Sequence, residues 1–187
     1  MEGHAFRLRP VEMADAAFIL ELRTDPHRNR YIHRGAIDLD GQRTWLEQYF
    51  ERPGDYYFII DNHATGEPEG TVGIYDLDLA DRSAEWGRWI VRAGSLAALE
   101  SAGLIYSVAF DLLELEAVYC RTILENKSAL AFQDAFGVER TRLLPRYFER
   151  NGRALDAVEG RITRARWATL RENTLAKAAR AAAWALH

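Results

Sequence analysis

Glu85 sits where a carboxylate needs a reason. Its run, Ser83-Ala84-Glu85-Trp86-Gly87-Arg88-Trp89-Ile90-Val91, has the composition of a strand. A charge among tryptophans and isoleucine is costly to bury without a purpose. Two purposes fit: a general base in a cleft, or half of an ion pair with Arg88 or Arg121. Strict alternation puts Glu85, Gly87, Trp89 and Val91 on one face and Ala84, Trp86, Arg88 and Ile90 on the other, provided no bulge shifts the register. The next stretch, residues 92–98, reads Arg-Ala-Gly-Ser-Leu-Ala-Ala and leads from this strand into a helix. Free amides and a positive dipole end at such a junction could cradle a pyrophosphate; a tight turn without a ligand is the plainer alternative. Neither GxxxxGK[ST] nor GxGxxG is present. Asn126 opens a later helix as a cap, accepting from the Ser128 amide. Arg28, Arg30, His33 and Arg34 crowd one irregular polar segment.

Composition narrows the field. With 24 basic and 28 acidic side chains in 187 residues, the net charge is −4. That disfavours a dedicated nucleic-acid binder, which carries a basic excess. Cys120 is the single cysteine, so an internal disulfide and a multi-cysteine zinc site are excluded, and no metal is expected. Its setting, Ala-Val-Tyr-Cys-Arg-Thr-Ile, reads as a buried strand. No apolar run approaches the ~20 residues that span a bilayer, and the start lacks a secretory apolar core. The expected location is the cytoplasm, without a membrane partner.

These residues need elements to hold them. Spacing predicts strands at 4–8, 56–61, 70–79, 83–91, 117–123, 143–149 and 153–161. Helices are predicted at 13–23, at 41–52 behind an Asp40 cap, at 96–113, at 126–136 and from 163 onward. The first strand reads as a sheet edge, ended by Pro10. Asn151-Gly152 is a strong hairpin signal between the last two strands. The order is β-α-α-β-β-β-α-β-α-β-β followed by a tail helix. One right-handed parallel crossover, from residue 83 to 123, is expected in a largely antiparallel sheet. The expected organisation is one domain over 1–163 and an Ala-rich helix over 164–187, which could pack on a second copy to make a homodimer.

Local wording and element order together resemble a known family. Phe6-Arg7-Leu8-Arg9-Pro10, Leu22-Arg23-Thr24-Asp25-Pro26, Gly70-Thr71-Val72-Gly73, the 82–91 run, Glu125-Asn126-Lys127-Ser128-Ala129, Phe136-Gly137 and the 147–152 hairpin occur in the order seen in GNAT-superfamily N-acetyltransferases. The chain resembles their RimJ/RimL-like branch over about residues 5–165. The resemblance implies an α/β (α+β) fold. Its mixed, mostly antiparallel sheet has about seven strands, flanking helices, and splayed fourth and fifth strands between which acetyl-CoA threads.

The resemblance also implies roles. Backbone amides at Trp89, Ile90 and Val91 would meet the thioester and pantetheine. Ser95, Leu96, Ala97, Ala98, Leu99 and Ser101 would surround the pyrophosphate, and Asn126, Ser128 and Phe132 would line the arm. Glu85 would take the proton of an amine acceptor, helped by Tyr75. The family's phosphate loop usually carries glycines, and the matching stretch of this chain, Leu96-Ala97-Ala98-Leu99-Glu100-Ser101-Ala102, has alanines and serine where they are expected; Glu100 would repel phosphate if it turned inward. Where a tyrosine commonly protonates the leaving thiolate, this chain has Phe132; Tyr119 or water would then serve. Leu22 to Tyr31 is similar to the corresponding segment of acetyltransferases acting on nucleotide-activated amino sugars. There Arg28 and Arg30 would meet a diphosphate, and Tyr31 and Trp45 would stack on base or sugar. The acceptor implied is thus a small-molecule amine. The alternatives are a protein N-terminus, or a module that binds acyl-CoA without catalysis.

Overall fold

A computed structural model describes residues 1–32, 35–150 and 152–185. His33 and Arg34 of the basic segment, Asn151 of the hairpin and the last two residues lie outside the described residues. The chain forms one seven-stranded sheet. Its strands are β1 (Phe6–Pro10), β2 (Tyr56–Asn62), β3 (Pro68–Asp78), β4 (Ser83–Val91), β5 (Ala117–Ile123), β6 (Glu139–Arg150) and β7 (Arg153–Thr163). Their spatial order is β1-β2-β3-β4-β5-β7-β6. Every neighbouring pair is antiparallel except β4–β5, which is parallel. This is the mixed, mostly antiparallel sheet expected, with β1 at an edge.

Period-two alternation lets one strand serve two layers. In β2, Tyr57 and Ile59 pack with Ile19 and Leu46, which belong to α1 (Ala16–Thr24) and α2 (Leu39–Phe50). Ile60 joins the larger core with Val72, Ile74, Ile105 and Tyr106. That core surrounds α3 (Ala97–Ser107), which is buried along nearly its whole length and is correspondingly apolar all round. The predicted long helix over 96–113 changes form instead of running on. After α3 the backbone widens into a π-turn, Val108–Leu112, closed by Leu113 N donating to the Val108 carbonyl at 3.0 Å.

Several boundaries differ from the sequence reading, among them that of β1, which runs through Pro10 instead of stopping at Leu8. Asp38, not Asp40, caps α2: its side chain accepts from the Gly41 amide at 2.8 Å, and the helix starts at Leu39. Asp38 has the extended backbone that a cap needs, and it lies three residues before that amide. β6 begins at Glu139 rather than 143, because pairing with β7 extends it back past the register shift between Arg140 and Arg142. The remaining helices are α4 (Lys127–Ala135) and α5 (Arg164–Ala185). α5 packs on α3 of the same chain: Trp167 is buried 5.2 Å from the Tyr106 ring, and Gly103 faces Thr174 and Leu175.

Candidate active site

β4 and β5 pair at only three rungs, Ser83–Ala117, Ala84–Val118 and Glu85–Tyr119. Beyond them the strands diverge. On its far side β5 stays paired with β7 through Ile123, and β4 stays paired with β3 through Val91. The inner edges of 86–91 and 120–123 therefore face a gap. A cleft of about 1120 Å³ opens there, lined from one side by Trp86 to Val91 and from the other by Cys120 to Ile123.

A bulge shapes the β4 wall. Thr71 pairs with Ile90 and Gly73 with Gly87, so Arg88 and Trp89 both oppose Val72. Arg88 takes the left-handed conformation, φ +51°. Strict alternation is thereby broken. The Trp89 ring lies 5.6 Å from Trp86 and 4.8 Å from Phe132. Arg88 instead stands over Tyr75, 4.3 Å from the ring centre, on the side where Tyr75 meets Glu85. The expected grouping of Trp89 with Glu85 and of Arg88 with Trp86 is corrected by this one extra residue.

Glu85 is 7% exposed, lies at the closed end of the gap and lines the cleft. Its Oε2 accepts from Arg121 Nη1 at 2.7 Å, and Tyr75 Oη donates to Oε1 at 3.4 Å. Burial pushes its carboxyl above the ordinary value, while the Arg121 charge pulls it down. The ion pair anticipated as an alternative is therefore present, with Arg121 as partner; Arg88 pairs with Asp55 instead. Tyr75 is held neutral by burial and by the charge of Glu85. Tyr119 pairs with Glu85 across the last rung but is absent from the cleft wall, where Tyr147 supplies a hydroxyl beside Arg121.

At the junction after β4, Gly94 adopts φ +80° with open space where a side chain would be. Ser95 Oγ accepts from Ala97 N at 3.0 Å; Ala98 and Leu99 carry the remaining first-turn amides. Leu96 is half-exposed, and Ala98 reaches the cleft. Ser101 is fully buried; its hydroxyl accepts from Trp89 Nε1 at 3.1 Å, which leaves it no surface for a phosphate. Glu100 turns away from the junction. It is buried and accepts from the backbone amides of His4 and Ala5, the latter at 3.1 Å.

Across the gap, Asn126 caps α4. Its Oδ1 accepts from Ala129 N at 3.3 Å and from the Ser128 hydroxyl at 3.1 Å, rather than from the Ser128 amide. Asn126, Ser128 and Phe132 all line the cleft, as do Arg28, Arg30, Tyr31 and Trp45. Tyr31 Oη donates to the Glu125 carbonyl at 3.1 Å, which ties the basic segment to the β5–α4 turn. Sequence reasoning gave no site role to Arg88, Arg121 or Tyr147. Arg88 and Arg121 figure in it only as possible ion-pair partners of Glu85; for Arg121, its alternation with Cys120 in a buried-type strand is the available signal.

Residues 6–139 match the model of the acetyltransferase (GNAT) domain. The chain belongs to the GNAT acetyltransferase family. It is an acyltransferase, and the family uses acetyl-CoA as co-substrate. Among solved structures it is similar to apo FdhC, described as a nucleotide-linked sugar GNAT. The identity is 26%, with 92% of this chain and 94% of that one covered, at a TM-score of 0.79. It shares its fold with spermidine N-acetyltransferase from Vibrio cholerae, solved with CoA and spermine, at 20% identity over 88% of this chain and 98% of that one, TM-score 0.80. No curated protein matches the sequence. No helix among the described residues is long and apolar enough to cross a membrane, and no cluster of metal-ligating side chains occurs among them.

Proposed function

We propose that this protein acetylates the primary amine of a small anionic acceptor, a nucleotide-linked amino sugar. The observation that carries the reading is the joint lining of one cleft. The unpaired strand edge of Trp89 to Val91 shares it with Arg28, Arg30 and Arg52 and with Tyr31 and Trp45. Glu85 lines the same cleft. Guanidinium groups suit a diphosphate, and rings suit a base or sugar. The likeness to a nucleotide-linked sugar GNAT supports the same choice.

Acetyl-CoA supplies the activated acyl group. The strand edge at Trp89, Ile90 and Val91 offers the backbone partners that an extended arm needs, as an added strand would use them. Amides of Ala98 and Leu99, with the open backbone at Gly94, receive the pyrophosphate. Asn126 and Ser128 hold the arm from the β5 side, and Trp89 and Phe132 give it an apolar wall. Glu85 takes the proton from the acceptor ammonium, with Tyr75 holding the carboxylate in place. A fixed backbone donor aimed at a developing oxyanion is worth roughly 3–4 kcal/mol.

Thermal melts with and without acetyl-CoA, followed by CoA-release assays on nucleotide-linked amino sugars, polyamines and peptide N-termini, test this reading. Stabilisation by the coenzyme and fastest turnover of the anionic sugars are expected. Stabilisation with no turnover of any amine would make the protein a binding module, and preference for peptide N-termini would make it a protein acetyltransferase.

A further inference from the structure

Arg88 fills a cage. Its guanidinium lies 4.3 Å from the ring centre of Tyr75, 5.2 Å from Trp45 and 5.3 Å from Tyr57. Behind it stands Asp55, paired through both oxygens, with Nη2 to Oδ2 at 2.8 Å. Three ring faces and a carboxylate are the chemistry that captures an alkylammonium or a guanidinium ion. The Arg88 and Asp55 side chains are 16% and 10% exposed. Arg88 lines the cleft and Asp55 does not, so the arginine stands between the carboxylate and any ligand.

The backbone is bent to achieve this. Position 88 is the extra residue of the bulge and holds φ +51°, which a side chain rarely adopts. Such a conformation persists only where its surroundings impose it. Gly87 beside it leaves the Tyr75 hydroxyl its place, because a Cβ there would push that hydroxyl aside. Without the bulge, alternation would turn Arg88 to the opposite face, and the cage would open onto the cleft.

We infer that Arg88 is a specificity-determining residue: it occupies a cation cage from within and so excludes cationic amines from the part of the cleft lined by Arg28, Arg30 and Trp45. The inference rests on the reading of that part as the acceptor site. A polyamine entering there meets a filled cage and the charges of Arg28 and Arg30, whereas an anionic acceptor meets a positive wall. Arg88 acts by shape and charge and takes no proton.

The test is Arg88→Gly, which suits the left-handed backbone and empties the cage. Propylguanidinium is titrated against it and against the unaltered protein, without coenzyme, by tryptophan fluorescence and thermal shift. The variant should bind the ion about tenfold more tightly, and adding Asp55→Asn should abolish the gain. In turnover, kcat/KM for a linear diamine relative to a nucleotide-linked amino sugar should rise by about the same factor. Should the glycine variant fail to fold, Arg88→Gln, shorter and uncharged, removes the charge and part of the filling, and should turn the preference toward the diamine in the same direction by a smaller factor. Equal propylguanidinium binding by variant and parent overturns the cage. If the parent acetylates no amine, the acceptor reading fails, and the binding titration alone still decides whether the cage exists.

Discussion

Glu85 and Tyr119 form the last rung between β4 and β5. The carboxylate thus stands at the vertex of the gap, where a strand pair ends and a cleft begins. That position is what allows it to be both buried and reachable. Its neighbours on the sheet exclude bulk water, while the open side admits a ligand.

Replacing Glu85 by Gln should lower kcat by about 10²- to 10⁴-fold, the usual worth of a positioned base. Coenzyme affinity, read by calorimetry, should stay unchanged, since the arm's partners lie further along the strands. An unaltered rate across the pH range would remove Glu85 from the chemistry.

Activity should rise with pH through the elevated Glu85 value, because only the carboxylate accepts a proton. Arg121→Met removes the charge that opposes the elevation, so the acid limb of the rate profile should move to higher pH. The same shift acts on stability. The folded state holds this proton more tightly than the unfolded chain, so the contribution is fullest below the ordinary Glu value and fades as pH climbs through the raised one. Thermal melts of Glu85→Gln against pH should lack that fade.

Gly87→Ala would set a methyl against the Tyr75 hydroxyl. The hydroxyl should leave Glu85, and kcat should fall in parallel with that of Tyr75→Phe. The accompanying loss of stability should be no more than the ~1–3 kcal/mol of an overpacked site. Parent-like kcat in both variants would show that Tyr75 does not serve Glu85.

Glu100→Ala should destabilise the fold by about 1–3 kcal/mol, since the His4 and Ala5 amides lose their acceptor. Coenzyme affinity should hold. A clear gain in affinity would mean instead that Glu100 repels phosphate.

Cys120 is 4% exposed, and burial pushes its thiol up to about 12. Iodoacetamide near neutral pH should leave the native protein unmodified and label it once unfolded. Rapid labelling of the native state would contradict the closed packing at Trp86 and Gly160.

Much of the fold was legible because its signals are local. Tyr56 to Asp61 is apolar between turn residues, and β2 runs there. Ser83 to Val91 was read to its last residue, since turn residues bound it on both sides. The helix at 96–113 was read too simply: apolar spacing does not distinguish an α-turn from a π-turn, which is set by how Val108 to Leu113 pack beneath the sheet. The Asp38 cap was missed because Asp38 and Asp40 have equal cap chemistry, and only backbone angles choose between them.

The site divides in the same way. Element types and order, the strand nature of the Glu85 run and the small residues at the β4–α3 junction were determined by the sequence alone, because each depends on neighbours a few positions away. The tertiary structure decided which side Arg88 takes, that Arg121 rather than Arg88 meets Glu85, that Glu100 faces the first strand, and where the β4–β5 pairing stops. Those outcomes depend on a bulge of one residue and on contacts between distant segments, such as 85 with 121 and 5 with 100. A one-residue slip in a strand reverses every side chain beyond it, and no local periodicity reports where that slip falls.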